Sequence, residues 1–357
     1  MSNEAFQAKG ALSGISLLKI HKAFIEEPLN KKEEKKLVIE DDEDDIEVEP
    51  LPESDARRGR NLASSQPGTV LKTLVVRVID AGNKQIEANA AQLRNDVFED
   101  DLCLKSQYEA CSHNQLKIEP ADEGDGGIVD LPIDINVDGG FNYITAGKTA
   151  MAELKKVYGT GDNSDGHNGL KSKYGLVLFC MPPGTYSVNW LAYAYVNSLY
   201  SFYNDIWCSS SSAQMHEVGH SLNLAHSGHD GNAYGDQSGY MGYSYVNDDG
   251  PAMCFNAANN YQLGWYNDQI DSINPIDLAE SGPTTITLNG VEDYDFGKTS
   301  ALISLRLEKS GGKDYYIGYN KAPIGGINQG TQEGKNQVLL VEKESGPTQY
   351  GQSWLLA

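Results

Sequence analysis

The chain has 357 residues, of which 50 are acidic and 28 are basic, for a formal net charge of −22. A charge this negative disfavours nucleic acid as a partner, since proteins that bind it neutralise phosphates with Lys and Arg, and it disfavours anionic membrane surfaces for the same reason. No uninterrupted apolar run approaches the roughly 20 residues of a membrane-spanning helix, so we expect no membrane span.

Residues 1–68 are predicted to form a disordered acidic segment and a candidate pro-region. Eight of the ten residues from Glu40 to Glu49 are acidic, and their self-repulsion outweighs what two apolar residues could bury. Arg57, Arg58 and Arg60 follow in a polar stretch. Exposed basic residues in a flexible linker are sites of proteolytic processing, although a plain linker is the simpler interpretation. The chain shows no clear signal peptide.

From Thr69 the composition becomes that of a folded domain of the α/β (α+β) class. Runs of β-branched and apolar residues predict strands over residues 70–79, 115–118, 127–135 and 174–180. Apolar residues at helical spacing predict helices over residues 88–99 and 145–158. Side chains then alternate from Trp190 to Val196, which favours an edge strand.

An acidic loop lies between two of the predicted strands. Asp122, Glu123, Asp125 and Asp130 surround three glycines there. Carboxylate oxygens are the ligands that Ca²⁺ prefers, so a calcium site is one interpretation. The loop lacks the twelve-residue spacing of a helix–loop–helix calcium site, and a solvated acidic loop is the simpler alternative.

One short segment contains the candidate metal-binding and catalytic residues of the chain. His216 and His220 are four residues apart, so on a helix both imidazoles leave the same face and could share a zinc ion. Glu217 directly follows the first histidine. That offset places its carboxylate beside the metal, where it could take a proton from zinc-bound water. Three neutral ligands leave Zn²⁺ its full positive charge, which lowers the pKa of that water.

The third ligand is predicted to be His226. It follows His220 by only six residues, so the helix must end and the chain must turn sharply between them. A residue at such a turn usually needs a positive φ, which Asn tolerates best after Gly, and Asn223 occupies that place. His229 is the alternative third ligand and fits less well, because it lies beyond a Ser-Gly pair.

The pattern His216-Glu217-x-x-His220-x-x-Asn223-x-x-His226 resembles the signature of the metzincin zinc peptidases, with Asn where that clan usually has Gly. The downstream motifs resemble the gametolysin family of that clan, which lyses the glycoprotein matrix of algal cell walls. They are the segment from Tyr234 to Tyr243, which resembles the region that leads into the methionine turn of the clan, Met253-Cys254-Phe255-Asn256-Ala257-Ala258 and Gln262-Leu263-Gly264-Trp265.

The resemblance implies a metzincin-like fold, with a mixed sheet and an active-site helix. It places Met241 beneath the zinc ion and Tyr243 near it, where the Tyr243 hydroxyl could stabilise an oxyanion or the ring could line the substrate pocket. Trp190–Val196 would align an extended peptide through backbone hydrogen bonds. Asp236 would stabilise a turn or, less simply, orient a zinc-binding histidine.

The five cysteines are Cys103, Cys111, Cys180, Cys208 and Cys254. None forms a CxxC pair, which argues against a cysteine zinc ribbon. Because histidines account for the metal, disulfides become the favoured fate of the cysteines, and disulfides favour an oxidising compartment. We therefore expect a protein secreted to the extracellular space or the cell wall.

These observations predict a catalytic domain over residues 69–272 and a β-rich C-terminal extension over residues 273–357, incomplete at its end. The predicted function is zinc-dependent endoproteolysis of matrix or cell-wall proteins and glycoproteins. The alternative is a non-catalytic matrix protein that keeps zinc for structure, but a closed structural site takes a fourth protein ligand and has no need of Glu217. A zinc hydrolase of another substrate class also remains open.

Overall fold

A computed structural model describes the backbone of four short strands within residues 16–50. It describes the rest of the chain over residues 68–137, 143–159, 167–185, 190–242, 250–276, 285–297, 300–309, 313–344 and 346–357. The chain divides into two compact units, Met1–Arg60 and Asn61–Ala357.

The first unit contains two antiparallel strand pairs. Strand β1 (Ser16–Ile20) pairs with β4 (Ile46–Pro50), and β2 (Ala23–Glu26) pairs with β3 (Lys36–Ile39). The last four residues of the acidic run from Glu40 to Glu49 therefore lie in strand β4. The prediction of disorder for the remainder of residues 1–68 lies outside the described residues, and the interpretation as a pro-region stays a prediction.

The second unit begins with a mixed sheet of six strands. They are β5 (Thr69–Ile79), β6 (Leu116–Pro120), β7 (Ile128–Pro132), β8 (Leu176–Met181), β9 (Ala192–Ala194) and β10 (Tyr200–Asn204). Strand β5 pairs in parallel with β6, β7 and β8, and β10 pairs in parallel with β8. Strand β9 is antiparallel to β10 and ends the sheet, so the predicted edge strand is confirmed.

Within the described residues, six α-helices belong to this unit. They are α1 (Ala90–Arg94, continued by a π-helical turn over Asn95–Glu99), α2 (Leu104–Cys111), α3 (Tyr143–Tyr158), α4 (His167–Lys173), α5 (Ser211–Ser221) and α6 (Ala257–Leu263). The predicted helices correspond to α1 with its π turn, to α3 and to α5, which carries the histidine motif, whereas α2, α4 and α6 are short and were not predicted.

The first sheet is buried on both faces, which is why its central strands are continuously apolar. Side chains on one face, such as Val75 and Leu178, pack with α1, α2 and α5. Alternate side chains, such as Val76 and Phe179, pack on the other face with α3 and α4. The mixed α/β class predicted from the sequence is confirmed, and the helix that carries the histidine motif lies against one face of the sheet.

A second six-stranded sheet contains most of the C-terminal residues. Its strands, in spatial order, are β11 (Ser227–Gly228), β16 (Ser353–Leu355), β15 (Val338–Lys343), β14 (Asp314–Tyr319), β13 (Ser304–Leu307) and β12 (Ile270–Ile273). Helix α6 packs on this sheet through Ala257 and Ala258. The described residues 285–288 form no strand, and a single bridge joins Leu288 to Leu302.

The second sheet crosses the boundary that we predicted between catalytic domain and extension. Residues after 273 are rich in strands, as expected, yet β11 directly follows the third histidine of the motif and pairs with β16, which lies at the end of the chain. The division at residues 272 and 273 stays a prediction, but the structure joins the two segments in one sheet.

Two disulfides link elements that are distant in sequence. Cys111 at the end of α2 bonds to Cys254, and Cys180 in β8 bonds to Cys208, which lies in the 3₁₀ turn Asp205–Ser209 just before α5. Cys103 is a buried free thiol. Among the helices that the structure describes, none is both long and apolar enough to cross a bilayer.

Candidate active site

Helix α5 holds the first two histidines in place. Ser210 caps the helix by accepting a hydrogen bond from the Ala213 amide, and every residue of the helix is buried. The His216 and His220 rings lie 4.9 Å apart on one face. His216 Nδ1 contacts the Tyr240 carbonyl at 2.7 Å, and His220 Nδ1 contacts a second backbone carbonyl at 2.8 Å. With Nδ1–H donating, each ring keeps the Nε2 lone pair for another partner.

The turn after α5 has the conformation that the sequence predicted. Asn223 has φ +71°, which confirms the expected positive φ. The Leu224 amide donates to the Gly219 carbonyl at 2.9 Å, and Gln262 Nε2 donates to the Asn223 carbonyl at 2.6 Å. These hydrogen bonds hold the turn that reverses the chain after α5, so that the His226 side chain lies beside those of His216 and His220.

His216, His220 and His226 come together as the motif predicted. Their candidate ligand atoms all lie within 4.8 Å of one another, and within the described ranges they form the one group of three or more potential metal ligands. The ring centroids of His216 and His226 are 5.4 Å apart, and those of His220 and His226 are 4.8 Å apart. A single metal ion is small enough to contact all three imidazoles from the space between them.

Burial keeps the three imidazoles neutral. It lowers the pKa of His220 to about 4 and, together with the nearby His220 ring, lowers the pKa of His226 to about 3. Burial and the two neighbouring rings also hold the pKa of His216 well below its usual range. Neutral imidazoles offer nitrogen lone pairs at pH 7, which is the protonation state that a metal ligand requires.

Glu217 is a buried carboxyl group beside the histidine cluster. Burial raises its pKa to about 8, and no hydrogen-bond partner of its Oε2 lies within the described residues. A buried carboxylate needs a compensating charge or hydrogen bond. A divalent cation held by three neutral histidines would supply that charge, so the residues present fit a bound metal ion.

Met241 packs against helix α5 beside Gly219, and its predicted place beneath a zinc ion stays a prediction. It is fully buried, and a Cβ built on Gly219 would overlap its Sδ atom. Gly219 therefore provides the space in which the methionine packs between the turns that carry His216 and His220. Tyr243, the second predicted catalytic residue, lies outside the described residues, and its role stays a prediction.

His229, the alternative third ligand, and Asp236, the acid predicted to stabilise a turn or orient a histidine, both form contacts away from the histidine cluster. His229 Nδ1 contacts Glu333 Oε1 at 2.7 Å, which directs that ring away from the histidine cluster. Asp236 is buried and accepts hydrogen bonds from Asn256 Nδ2 at 2.9 Å and from the Ser238 amide at 2.8 Å. It therefore stabilises a turn and forms no described contact with a histidine.

The carboxylates of the acidic loop face different bases. Asp122 pairs with Lys72, Glu123 with Lys173, Asp125 with Arg94, and Asp130 with Arg77. Ion pairs of this kind explain the acidic residues without a shared cation, and the calcium site stays a prediction.

Tyr234 begins the motif that leads to Met241, but the sequence predicted no role for it at the site. Its ring lies 4.2 Å from that of His226 and 6.2 Å from that of His216, centroid to centroid. The side chain is 47% exposed, so it contacts the third histidine on one side and solvent on the other. The residue is eight positions after His226, and no spacing rule links the two, since the short strand β11 and a series of turns connect them.

Comparison with known families agrees with this geometry. The family described as gametolysin peptidase M11 matches residues 85–319, about two thirds of the chain, and this range includes the histidine motif, Met241 and most of the second sheet. No curated protein shows a significant match. A helix with two histidines one turn apart, a third histidine returned by a tight turn, and a family match over most of the chain lead to one conclusion. The chain belongs to the gametolysin family of metallopeptidases.

Proposed function

We propose that the protein is a zinc-dependent endopeptidase in which His216, His220 and His226 bind the metal and Glu217 is the catalytic base. The observation that carries the proposal is the convergence of three buried, neutral imidazoles beside a buried carboxyl group that lacks a described partner at Oε2. A three-histidine site leaves coordination positions open for substrate and water, as catalytic zinc sites do.

Held by His216, His220 and His226, a zinc ion would supply Lewis-acid polarisation of the scissile carbonyl and would lower the pKa of the attacking water. Glu217 takes a proton from that water and delivers it to the leaving amine. Its burial keeps bulk water from competing for the proton, and its position one residue after His216 fixes it beside the reacting atoms. Tyr243 is proposed as a further stabiliser of the oxyanion.

Strand β9 is proposed to align the substrate. It lies at the end of the first sheet, and the Asn197 amide just beyond it donates to the His220 carbonyl at 2.9 Å. An extended peptide added to this edge would run past the end of α5 with its backbone held by ladder hydrogen bonds. This arrangement favours an endopeptidase, because the substrate continues in both directions from the cut.

The proposed substrate is an extracellular matrix or cell-wall protein or glycoprotein. Two disulfides support an oxidising compartment, and the net charge of −22 favours the approach of neutral or cationic substrates. A non-catalytic zinc protein is the alternative function. The buried Glu217 weighs against it, because an unpaired buried carboxyl group is costly and a structural zinc site gains nothing from it.

The decisive experiment compares Glu217→Gln with the wild-type protein for zinc content and casein hydrolysis. The variant keeps the shape and the metal ligands but loses the base, so we expect one bound zinc ion and a loss of hydrolysis by several orders of magnitude. Glu153→Gln on the exposed face of α3 is the matched control. Hydrolysis by Glu217→Gln at the rate of the wild type would refute the mechanism. An absence of hydrolysis by the zinc-loaded wild type would favour the non-catalytic alternative.

A further inference from the structure

We infer that the C-terminal strand β16 positions the third metal ligand. The inference rests on the proposed function, since it treats His226 as a zinc ligand. It assigns a role at the metal site to Ser353, which is 127 residues from His226 in sequence, and to the buried polar side chains that Ser353 contacts.

The three histidines are not oriented in the same way. The rings of His216 and His220 each have Nδ1 held by a backbone carbonyl. Within the described residues, the structure shows no such hydrogen bond to the ring of His226, which packs against the Tyr234 ring and the other two imidazoles. The direction of the third imidazole therefore depends more strongly on how its backbone is held.

The backbone around His226 is held from distant parts of the chain. The Ser353 amide donates to the His226 carbonyl at 3.1 Å. The next residue, Ser227, donates its amide to the Met241 carbonyl at 2.7 Å and accepts a bond from the Asp236 amide at 3.3 Å. Strand β11 has only two residues and pairs with β16 alone in the sheet. Strand β16 is thus the sheet partner that fixes the ligand segment.

A buried polar cluster joins the same two strands through side chains. The hydroxyls of Ser227 and Ser353 lie 2.8 Å apart. Asn256 Nδ2 lies 3.0 Å from the first hydroxyl, 3.1 Å from the second and 2.9 Å from Asp236 Oδ2. All four residues are at most 5% exposed. Because buried polar groups are costly without partners, the loss of one hydroxyl disturbs the arrangement of the other three groups.

The residues that precede β16 reach the same region. Gln352 Nε2 donates to the Ala233 carbonyl at 3.0 Å, next to Tyr234. Asn223 Nδ2 donates to the Thr348 carbonyl at 3.4 Å. The end of the chain therefore contacts the turn before His226, the carbonyl of His226 and the segment whose tyrosine packs on its ring. These three contacts from one segment therefore hold the backbone both before and after His226.

The test compares Ser353→Ala with Ser304→Ala in the full chain. Ser304 is the matched control, because it is also a buried serine in a strand of the same sheet and its hydroxyl donates to the Ala257 carbonyl at 2.9 Å, outside the cluster. Zinc affinity is measured by competition with a chromogenic chelator. We expect Ser353→Ala to raise the zinc dissociation constant about tenfold, the usual effect of losing a group that supports a metal ligand, and Ser304→Ala to leave it unchanged.

The absorption spectrum of the Co²⁺-loaded protein provides a second measurement. A shift of the Co²⁺ bands in Ser353→Ala but not in Ser304→Ala supports a change in ligand geometry, whereas a purely structural role would lower the unfolding midpoint and leave the spectrum unchanged. Equal zinc dissociation constants and equal spectra for the two variants would overturn the inference. If Ser353→Ala does not fold, Ser227→Ala removes the other hydroxyl of the pair and allows the same comparison.

His226→Ala separates this inference from the proposed function. If His226→Ala binds zinc as tightly as the wild type, the ligand assignment itself is wrong. If His226→Ala loses zinc while Ser353→Ala and Ser304→Ala bind it equally, the ligand assignment stands and only the role of β16 is refuted.

Discussion

Replacement of Gly219 by Ala tests the packing of Met241 against the helix that carries His216 and His220. A Cβ at this position would overlap Met241 Sδ, and the methionine is fully buried, so it has little room to move. Overpacking of a buried site costs about 1–3 kcal/mol. The same substitution in a helix interior stabilises the helix by about 1 kcal/mol, since Ala is the better helix former. The overlap is the larger effect, and we expect a net destabilisation of up to about 2 kcal/mol.

The sign of the Gly219→Ala effect should depend on Met241. In a Met241→Ala background the sulfur is absent, so only the helix propensity remains and Gly219→Ala should stabilise the protein by up to about 1 kcal/mol. The two backgrounds should therefore differ by about 1–3 kcal/mol, which is the coupling energy of the contact. This difference is more informative than either single variant, because helix propensity cancels from it.

Urea unfolding of the four proteins, followed by tryptophan fluorescence, measures this coupling. A chelator should be present throughout, because bound metal adds its own binding free energy to the stability of the folded state. Gly219→Ala is also expected to weaken zinc binding in the wild-type background, since a displaced methionine disturbs the helix turn between His216 and His220. The same free-energy change in both backgrounds would refute the contact between Gly219 and Met241.

Three further predictions concern the turn, a buried lysine and the disulfides. Asn223→Gly should keep the stability of the wild type while Asn223→Ala lowers it by about 1 kcal/mol, because φ is +71° there; equal urea midpoints would contradict this. Burial lowers the pKa of Lys343 to about 8, from 10.5. Between those pH values the unfolded state binds more protons, so the unfolding free energy should rise with pH by roughly 3 kcal/mol relative to Lys343→Met; parallel pH profiles of the two proteins would exclude the shift. Replacing Cys111 and Cys254 by Ser should cost about 1.4 kcal/mol more than the same change in the other disulfide, because the loops closed span 143 and 28 residues; equal losses in urea unfolding would argue against a loop-entropy origin.

Local patterns in the sequence predicted the parts of the site that depend on local geometry. The four-residue spacing of His216 and His220 requires only that the segment be helical, and the positive φ of Asn223 follows from the few residues available to turn the chain toward His226. Both are consequences of backbone geometry over about ten residues, and no knowledge of distant contacts is needed to infer them.

Contacts between segments that are distant in sequence could not be predicted from local sequence patterns. Helices α2 and α4 have only 8 and 7 residues, which is too short for apolar periodicity to identify a helix, and packing against the first sheet stabilises them. The predicted boundary at residues 272 and 273 treated the C-terminal strands as a separate extension, because composition changes there. No sequence pattern indicated that β16 pairs with β11, because a two-residue strand is too short to show an alternation of apolar and polar side chains.

The amino-acid sequence alone therefore determined which residues could carry the chemistry: three histidines and a glutamate at helical and turn spacings, within an α/β domain, predict a zinc peptidase. Only the tertiary structure decided how those residues are held. Gly219 makes room for Met241, the Tyr234 ring packs on His226, and Ser353 reaches Ser227 from the end of the chain. The physical reason is that ligand spacing is fixed by backbone dihedrals over a few residues, whereas the orientation of a ligand depends on hydrogen bonds and packing that only the complete fold brings together.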